Sequence, residues 1–154
     1  MIKGITIKKI VSHKDNRGFF REILKINKSS KEINFKQISH SYIKKNVIKG
    51  WHLHKKQSQW NYLLKGKIKM YLFDTRKDSK TFKKYKTLTI DSKKNNLVYF
   101  FPPDVAHGYI TLSNENHMIY ATSNIYSPNE EYKIPIINKL IPNFFKKIRN
   151  KKLI

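Results

Sequence analysis

Apolar and polar residues alternate in short runs along most of the chain, with polar turn-formers between the runs. Period-two alternation puts successive side chains on opposite faces of a strand. It predicts strands within GITIKKIVS, FFREILKI, FKQISHSYI, VIKGWHLH, QWNYLLKG, KIKMYLFDTR, YKTLTIDS, NLVYFFPP, AHGYITLS and HMIYATSNIYS. In KIKMYLFD, Ile68, Met70 and Leu72 make an aliphatic face opposite Lys69, Tyr71 and Phe73. KDNRG, RKDSK, DSKKNN, LSNEN and SPNEE read as the turns between runs. Many short strands with frequent turns predict an all-β sandwich or barrel, and a barrel with one open mouth offers a ligand cavity. The stretch from Asn138 to Ile154 has Leu140, Ile141, Phe144, Phe145 and Ile148 on one side of a helical projection, so a short basic amphipathic helix is predicted there.

Composition narrows the function classes. The 154 residues suit one domain spanning 1–154, and 39% hydrophobic and 13% aromatic content indicates a folded globule. The absence of cysteine excludes disulfides, a thiolate nucleophile and Cys-containing zinc sites. Apolar stretches such as LVYFFPP are too short to cross a bilayer, and the start lacks the sustained apolar run of a secretory signal. The expectation is a cytoplasmic protein with no membrane association. A net charge of +23 raises the question of nucleic acid. Of the 33 basic residues, however, only Arg17, Arg21, Arg76 and Arg149 are arginines, and the lysines are spread over nearly every segment. Specific nucleic-acid binding is therefore not expected, although such a surface would attract anionic metabolites.

The candidate chemistry lies in KGWHLHKKQSQWNYLLKG, where His52 and His54 share one face of a predicted strand. Gly50, His52, His54, Gln59 and Gly66 resemble the first cupin motif, with Gln59 in place of its acidic residue. FPPDVAH resembles the core of the second through Pro102, Asp104 and His107, with Asp104 where that motif has glycine. Two uses of these residues are open. His52, His54, Gln59 and His107 form one possible ligand set for a metal, weakened by a neutral amide where a divalent ion gains a carboxylate. Alternatively, a histidine of pKa about 6.5 acts as a base on a carbon-bound proton acidified by a neighbouring ketone. The resulting enolate needs a fixed cation or donor. Lys49 is a candidate, but positions i and i+3 face opposite sides of a straight strand, so a bend at Gly50 is required.

Further segments carry a family resemblance over roughly residues 13 to 131. DNRGFFRE, QISHSYIKKNVIKGWH, FDTRKDSKTFKKYKTLTI, FFPPDVAHGYITLS and YATSNIYSPNEE resemble, in order and spacing, the dTDP-4-dehydrorhamnose 3,5-epimerase family, which is built on the cupin jelly-roll barrel. The resemblance implies an isomerase acting on a nucleotide-linked 4-keto-6-deoxy sugar in deoxysugar and polysaccharide biosynthesis, with no cofactor and no metal. It makes His52 the base that removes protons alpha to the ketone and Tyr126 the donor that reprotonates from the opposite face, with Tyr120 the rival. A phenol of pKa about 10 stays protonated at neutral pH and suits that role. Substrate contacts are implied for Arg17, Phe20, Glu22, Gln37, Lys49, His54, His107 and Glu131, with Arg17, Phe20 and Glu22 reaching the nucleotide across a homodimer interface.

The departures bear on mechanism. Lys49 stands where the family has arginine, Trp51 where it has leucine and His54 where it has glutamine. The family's enolate-holding lysine has no match in QSQW, and counting from Tyr126 puts Asn138 where the family's base-supporting aspartate would be. The readings carried forward are epimerisation at C3, C5 or both, a keto-sugar ketoisomerase, a metal-dependent cupin, and a sugar-nucleotide-binding protein without catalysis.

Overall fold

The computed structural model of the protein describes residues 1–25, 35–145 and the backbone of 152–153. Two antiparallel sheets face each other as a jelly-roll barrel. One has the order β1 (Thr6–Lys9), β9 (Leu97–Phe101), β6 (Gln59–Lys65), β11 (Glu115–Thr122) and β4 (Gln37–Lys44). The other has the order β12 (Glu131–Lys133), β5 (Val47–His54), β10 (Val105–Thr111), β7 (Lys67–Asp74) and β8 (Tyr85–Asp91), with β13 (Lys152–Leu153) pairing parallel to the start of β5. β2 (Ser12–Asp15) and β3 (Gly18–Arg21) form a separate hairpin around the DNRG turn. Every run predicted as a strand overlaps one, although in FFREILKI the strand stops at Arg21 and Ile26 lies outside the described residues. The additional strands β2, β12 and β13 have four residues or fewer, too short for alternation to register.

The aliphatic face of β7 does what its pattern predicts. Ile68, Met70 and Leu72 point between the sheets and pack with Val47, Leu63, Tyr99, Phe101, Val105 and Met118. The opposite face is also buried, because Tyr71 and Phe73 join Ile48, Trp51, Leu53 and Ile110 beneath Ile141 and Phe145 of the C-terminal segment. That segment corrects the helix expectation. Residues 138–145 contain bends and turns and no helix, while 146–151 and 154 lie outside the described residues. Pro142 gives the reason, since its ring lacks an N–H and clashes with the preceding helical turn. The chain instead lies over the sheet, and Trp51 meets the rings of Phe144 and Phe145 at centroid distances of 6.0 and 5.6 Å.

Asp74 closes β7 with no exposed surface. Its carboxylate accepts from Arg76 Nε at 2.8 Å, Ser79 Oγ at 2.8 Å and Thr81 Oγ1 at 2.6 Å. Burial alone would raise its pKa, but Arg76 and the two hydroxyls outweigh it and hold the group at about 2, below the ordinary 3.8. A depressed folded pKa stabilises above the unfolded value and loses that contribution as pH falls toward about 2. Asp74→Asn is therefore expected to cost about 2 kcal/mol at neutral pH and little near pH 2, read as urea midpoints at the two pH values.

Candidate functional site

A cavity of about 220 Å³ opens at one end of the barrel. β5 supplies one wall, through Lys49, His52 and His54, and β10 adds His107 and Tyr109. Gln59, Asn61, Tyr99 and Tyr120 come from the facing sheet, while Gln37, Tyr126 and Glu131 close the rim.

The irregularity that gathers the β5 residues is a bulge. His107 pairs with His52, but the next pair is Tyr109 with Lys49, so Gly108 alone opposes both Gly50 and Trp51. One extra residue reverses the alternation. Trp51 faces outward into the aromatic layer, and Lys49 and His52 both face the cavity. This is the bend at Gly50 that the sequence required. Gly108 permits it by close approach, since a Cβ there would lie 2.9 Å from the Lys49 carbonyl oxygen.

His52 and His54 are each anchored through Nδ1. His52 Nδ1 lies 2.6 Å from Glu131 Oε1. An ionised carboxylate only accepts, so Nδ1 carries the proton and the Nε2 lone pair is left for the cavity. His54 Nδ1 likewise donates to the Glu130 carbonyl at 3.2 Å, and His107 Nδ1 to the Val105 carbonyl at 3.2 Å. The His107 ring stacks against both others, at centroid distances of 6.0 Å to His52 and 5.4 Å to His54. Burial lowers the pKa of all three, opposed at His52 by the charge of Glu131 and reinforced at His107 by the two neighbouring imidazoles. Burial also lowers the Lys49 pKa, against the pull of Glu131.

Asp104 adopts φ 57°, the left-handed region that explains a glycine preference at that turn and that Asp tolerates better than most residues. Its backbone N–H donates to the His54 carbonyl at 2.8 Å, and its carboxylate pairs with Lys55 at 2.9 Å. Tyr126 is 61% exposed at the rim, where its backbone N–H donates to Gln37 Oε1 at 2.7 Å. Tyr120 lies deeper, its hydroxyl 2.9 Å from Ser41 Oγ and 2.8 Å from Tyr109 Oη.

The structure thus brings together Gln37, Lys49, His52, His54, His107, Tyr126 and Glu131. It leaves Arg17, Phe20 and Glu22 outside this cavity. Arg17 and Phe20 border a cleft on the β2–β3 hairpin, and Glu22 borders another beside Ile10 and Leu24. Arg17 there pairs with Asp15 at 2.6 Å. Asn138 is corrected as the histidine's partner, because it caps a local turn through the Leu140 and Ile141 N–H groups. The group on His52 is Glu131, which sequence reasoning gave to substrate. No group of three potential ligands among the described residues could hold a metal ion. Gln59 instead donates to Asn61 Oδ1 at 2.6 Å, and among the described residues no helix is long and apolar enough to cross a membrane.

Known proteins resemble this chain in sequence and fold. The family profile described as dTDP-4-dehydrorhamnose 3,5-epimerase matches residues 1–141. The spore coat polysaccharide biosynthesis protein SpsL of Bacillus subtilis is 36% identical over 138 residues, covering 88% of this chain and 90% of that protein. The dTDP-4-dehydrorhamnose 3,5-epimerase of Salmonella typhimurium is 32% identical over 129 residues, covering 78% and 69%. Among solved structures, the Bacillus anthracis epimerase with TDP and PPi bound superposes with a TM-score of 0.83 at 27% identity, over 97% of this chain and 89% of that one. The Legionella pneumophila epimerase in complex with dTDP-4-keto-L-rhamnose has the same fold, with a TM-score of 0.85 at 22% identity over 97% and 82%. The chain belongs to the dTDP-4-dehydrorhamnose 3,5-epimerase family, whose members are isomerases.

Proposed function

We propose that the protein epimerises a nucleotide-linked 4-keto-6-deoxyhexose, of the dTDP-4-keto-6-deoxyglucose type, at C3, C5 or both. The observation that carries this reading is the His52–Glu131 pair, 2.6 Å apart, on the same cavity as Lys49. His52 Nε2 takes a proton alpha to the ketone, and the developing negative charge on the ketone oxygen meets the Lys49 ammonium. A partly desolvated ammonium of lowered pKa donates to an enolate oxygen more readily than a surface lysine. Tyr126 returns a proton to the opposite face of the carbon. It is favoured over Tyr120, whose hydroxyl is already engaged by Ser41 and Tyr109. Gln37, His54, His107 and Glu131 border the sugar, and Glu131 also orients the base.

Arg17, Phe20 and Glu22 reach the nucleotide from the hairpin of a second copy in a homodimer. Arginine suits diphosphate oxygens because its fork donates two parallel hydrogen bonds. The exposure of Phe19 and Phe20 on that hairpin supports a partner surface. The substrate class supports a cytoplasmic location, and the name of the B. subtilis relative supports a role in polysaccharide biosynthesis. Incubation with dTDP-4-keto-6-deoxyglucose in deuterium oxide tests the reading. Deuterium is expected alpha to the ketone, and its absence with every 4-keto sugar nucleotide tried would overturn it.

Glu131→Gln keeps an acceptor for Nδ1–H and removes the charge. Burial still lowers the His52 pKa and the opposing pull is gone, so that pKa falls further. A base with a lower pKa stays unprotonated to lower pH, so the acid limb of kcat/KM shifts down. The kcat at neutral pH is expected to drop about 10- to 100-fold, because the imidazolium formed on proton abstraction loses a stabilising carboxylate charge worth about one to two pKa units. A pH–rate profile reads both effects.

A further inference from the structure

We infer that Asn61 is a catalytic residue, the second hydrogen-bond donor to the ketone oxygen beside Lys49. The inference rests on the epimerase reading and deepens it at the same site. Asn61 lines the cavity with only 2% of its surface exposed. Its Oδ1 accepts from Gln59 Nε2 at 2.6 Å, which fixes the amide with its NH2 group turned away from that bond. The NH2 group is buried and has no hydrogen-bond partner among the described residues. A buried donor left unpaired carries its full desolvation cost, so such groups are rare in native proteins. On the wall of a ligand cavity, an acceptor on the ligand accounts for it. Register puts this donor on the same level of the barrel as Lys49. Lys49 pairs with Tyr109 across β5 and β10, and Asn61 pairs with Tyr120 across β6 and β11. The Tyr109 and Tyr120 hydroxyls meet between the sheets at 2.8 Å, which joins the two pairs into one layer. Tyr120 is also held by Ser41 at 2.9 Å, so these phenols are engaged with their neighbours and the Asn61 amide is not. The layer lies inward of the rim, where Gln59 pairs with Thr122, Thr122 with Gln37 and His54 with Glu131. His52 stands between the two levels on β5.

A pyranose fits these levels in one direction. C1 and C4 lie opposite each other across the ring, and C1 carries the diphosphate. The diphosphate leaves through the mouth, because a cavity of about 220 Å³ holds little more than the sugar. C4 and its oxygen therefore point inward to Lys49 and Asn61, with C3 and C5 at the height of His52. When His52 Nε2 takes the proton from either carbon, the C–H pair forms a double bond to C4 and the carbonyl pair moves onto oxygen. Both enolates carry their charge on that one oxygen. The Lys49 ammonium supplies a charge and the Asn61 N–H a fixed dipole, and both interact more strongly with the enolate than with the ketone. Reprotonation by tyrosine returns the pair to carbon, and no oxidant or reductant is involved.

Asn61→Leu keeps the size of the side chain and removes the donor. With dTDP-4-keto-6-deoxyglucose, the full-length variant is expected to lose about 10- to 100-fold in kcat, less than the loss of a charged donor, with KM and TDP affinity within about threefold of wild type. Proton NMR in deuterium oxide is expected to show exchange slowed by the same factor at every carbon that the wild type exchanges, since the donor acts on the shared oxygen. Asn61→Ala is read the same way if the leucine variant does not fold. A rise in KM at unchanged kcat would make Asn61 a ground-state contact, and slowing at only one of two exchanging carbons would tie it to that carbon. A loss of kcat matched by a loss of TDP affinity would make its role structural. Each of these results, like exchange within about threefold of wild type, would overturn the inference and leave the epimerase reading standing. A wild-type protein that exchanges neither carbon would sink that reading and the inference with it.

Discussion

His52→Gln is expected to lower kcat for epimerisation by about 10²- to 10⁴-fold, the contribution of a positioned general base, with little loss of stability. The His52 side chain is 22% exposed and lies on the cavity wall, outside both aliphatic and aromatic layers, so a glutamine in its place leaves the core unchanged. The amide can still donate to Glu131, which avoids stranding a carboxylate. Steady-state kinetics together with thermal unfolding separate the two effects: a large fall in kcat with nearly unchanged Tm is the expected result. A proportionate fall in both would make His52 a structural residue and remove the base from the proposed mechanism.

The parts of this site that the sequence revealed were those governed by local periodicity. His52 and His54 alternate across Leu53, and strand geometry alone puts them on one face. His107 was reachable through the motif spacing. Lys49 was harder to place, because regular alternation sends it to the wrong side of the sheet. Its presence in the cavity depends on one surplus residue in β5 relative to β10. The available signal was a pair of glycines, Gly50 and Gly108, on strands whose neighbours are large. The Glu131 contact was not legible. It joins residues 79 positions apart through a three-residue strand, and counting downstream by analogy led to Asn138. After Tyr126 the chain makes a 3₁₀ turn at Pro128–Glu130 and pairs at once with β5, opposite His54. The carboxylate therefore arrives earlier in the sequence than the count assumed.

The same short return explains how the tail is used. With β12 on the edge of β5, residues 134–145 cross the outer face of that sheet. Ile134, Ile136, Ile141 and Phe145 cover Trp51 and Phe73 there. Trp51 sits in the bulge, so the apolar layer supports the backbone that turns Lys49 inward. The outward aromatic and the inward cation are two consequences of a single extra residue.

Lys49→Met is expected to reduce kcat by about 10²- to 10³-fold, as when one donor is removed from an oxyanion site. Methionine keeps most of the aliphatic stem and removes only the ammonium, so the bulge and the packing around it are retained. The reason for a kcat effect lies in timing. The ketone oxygen gains its full negative charge only as the alpha proton leaves, and a nearby cation interacts far more strongly with the enolate than with the ketone. Among the described residues Lys49 is the only lysine or arginine lining the cavity, and His52 alone cannot balance that charge from the carbon side. Lys49→Arg should recover most of the rate, because it restores a cation at the same position. If Lys49 merely holds the diphosphate, Lys49→Met would instead raise KM with kcat unchanged, since ground state and transition state would lose the same contact. Saturation kinetics on the two variants therefore distinguish charge stabilisation at the enolate from binding of the nucleotide.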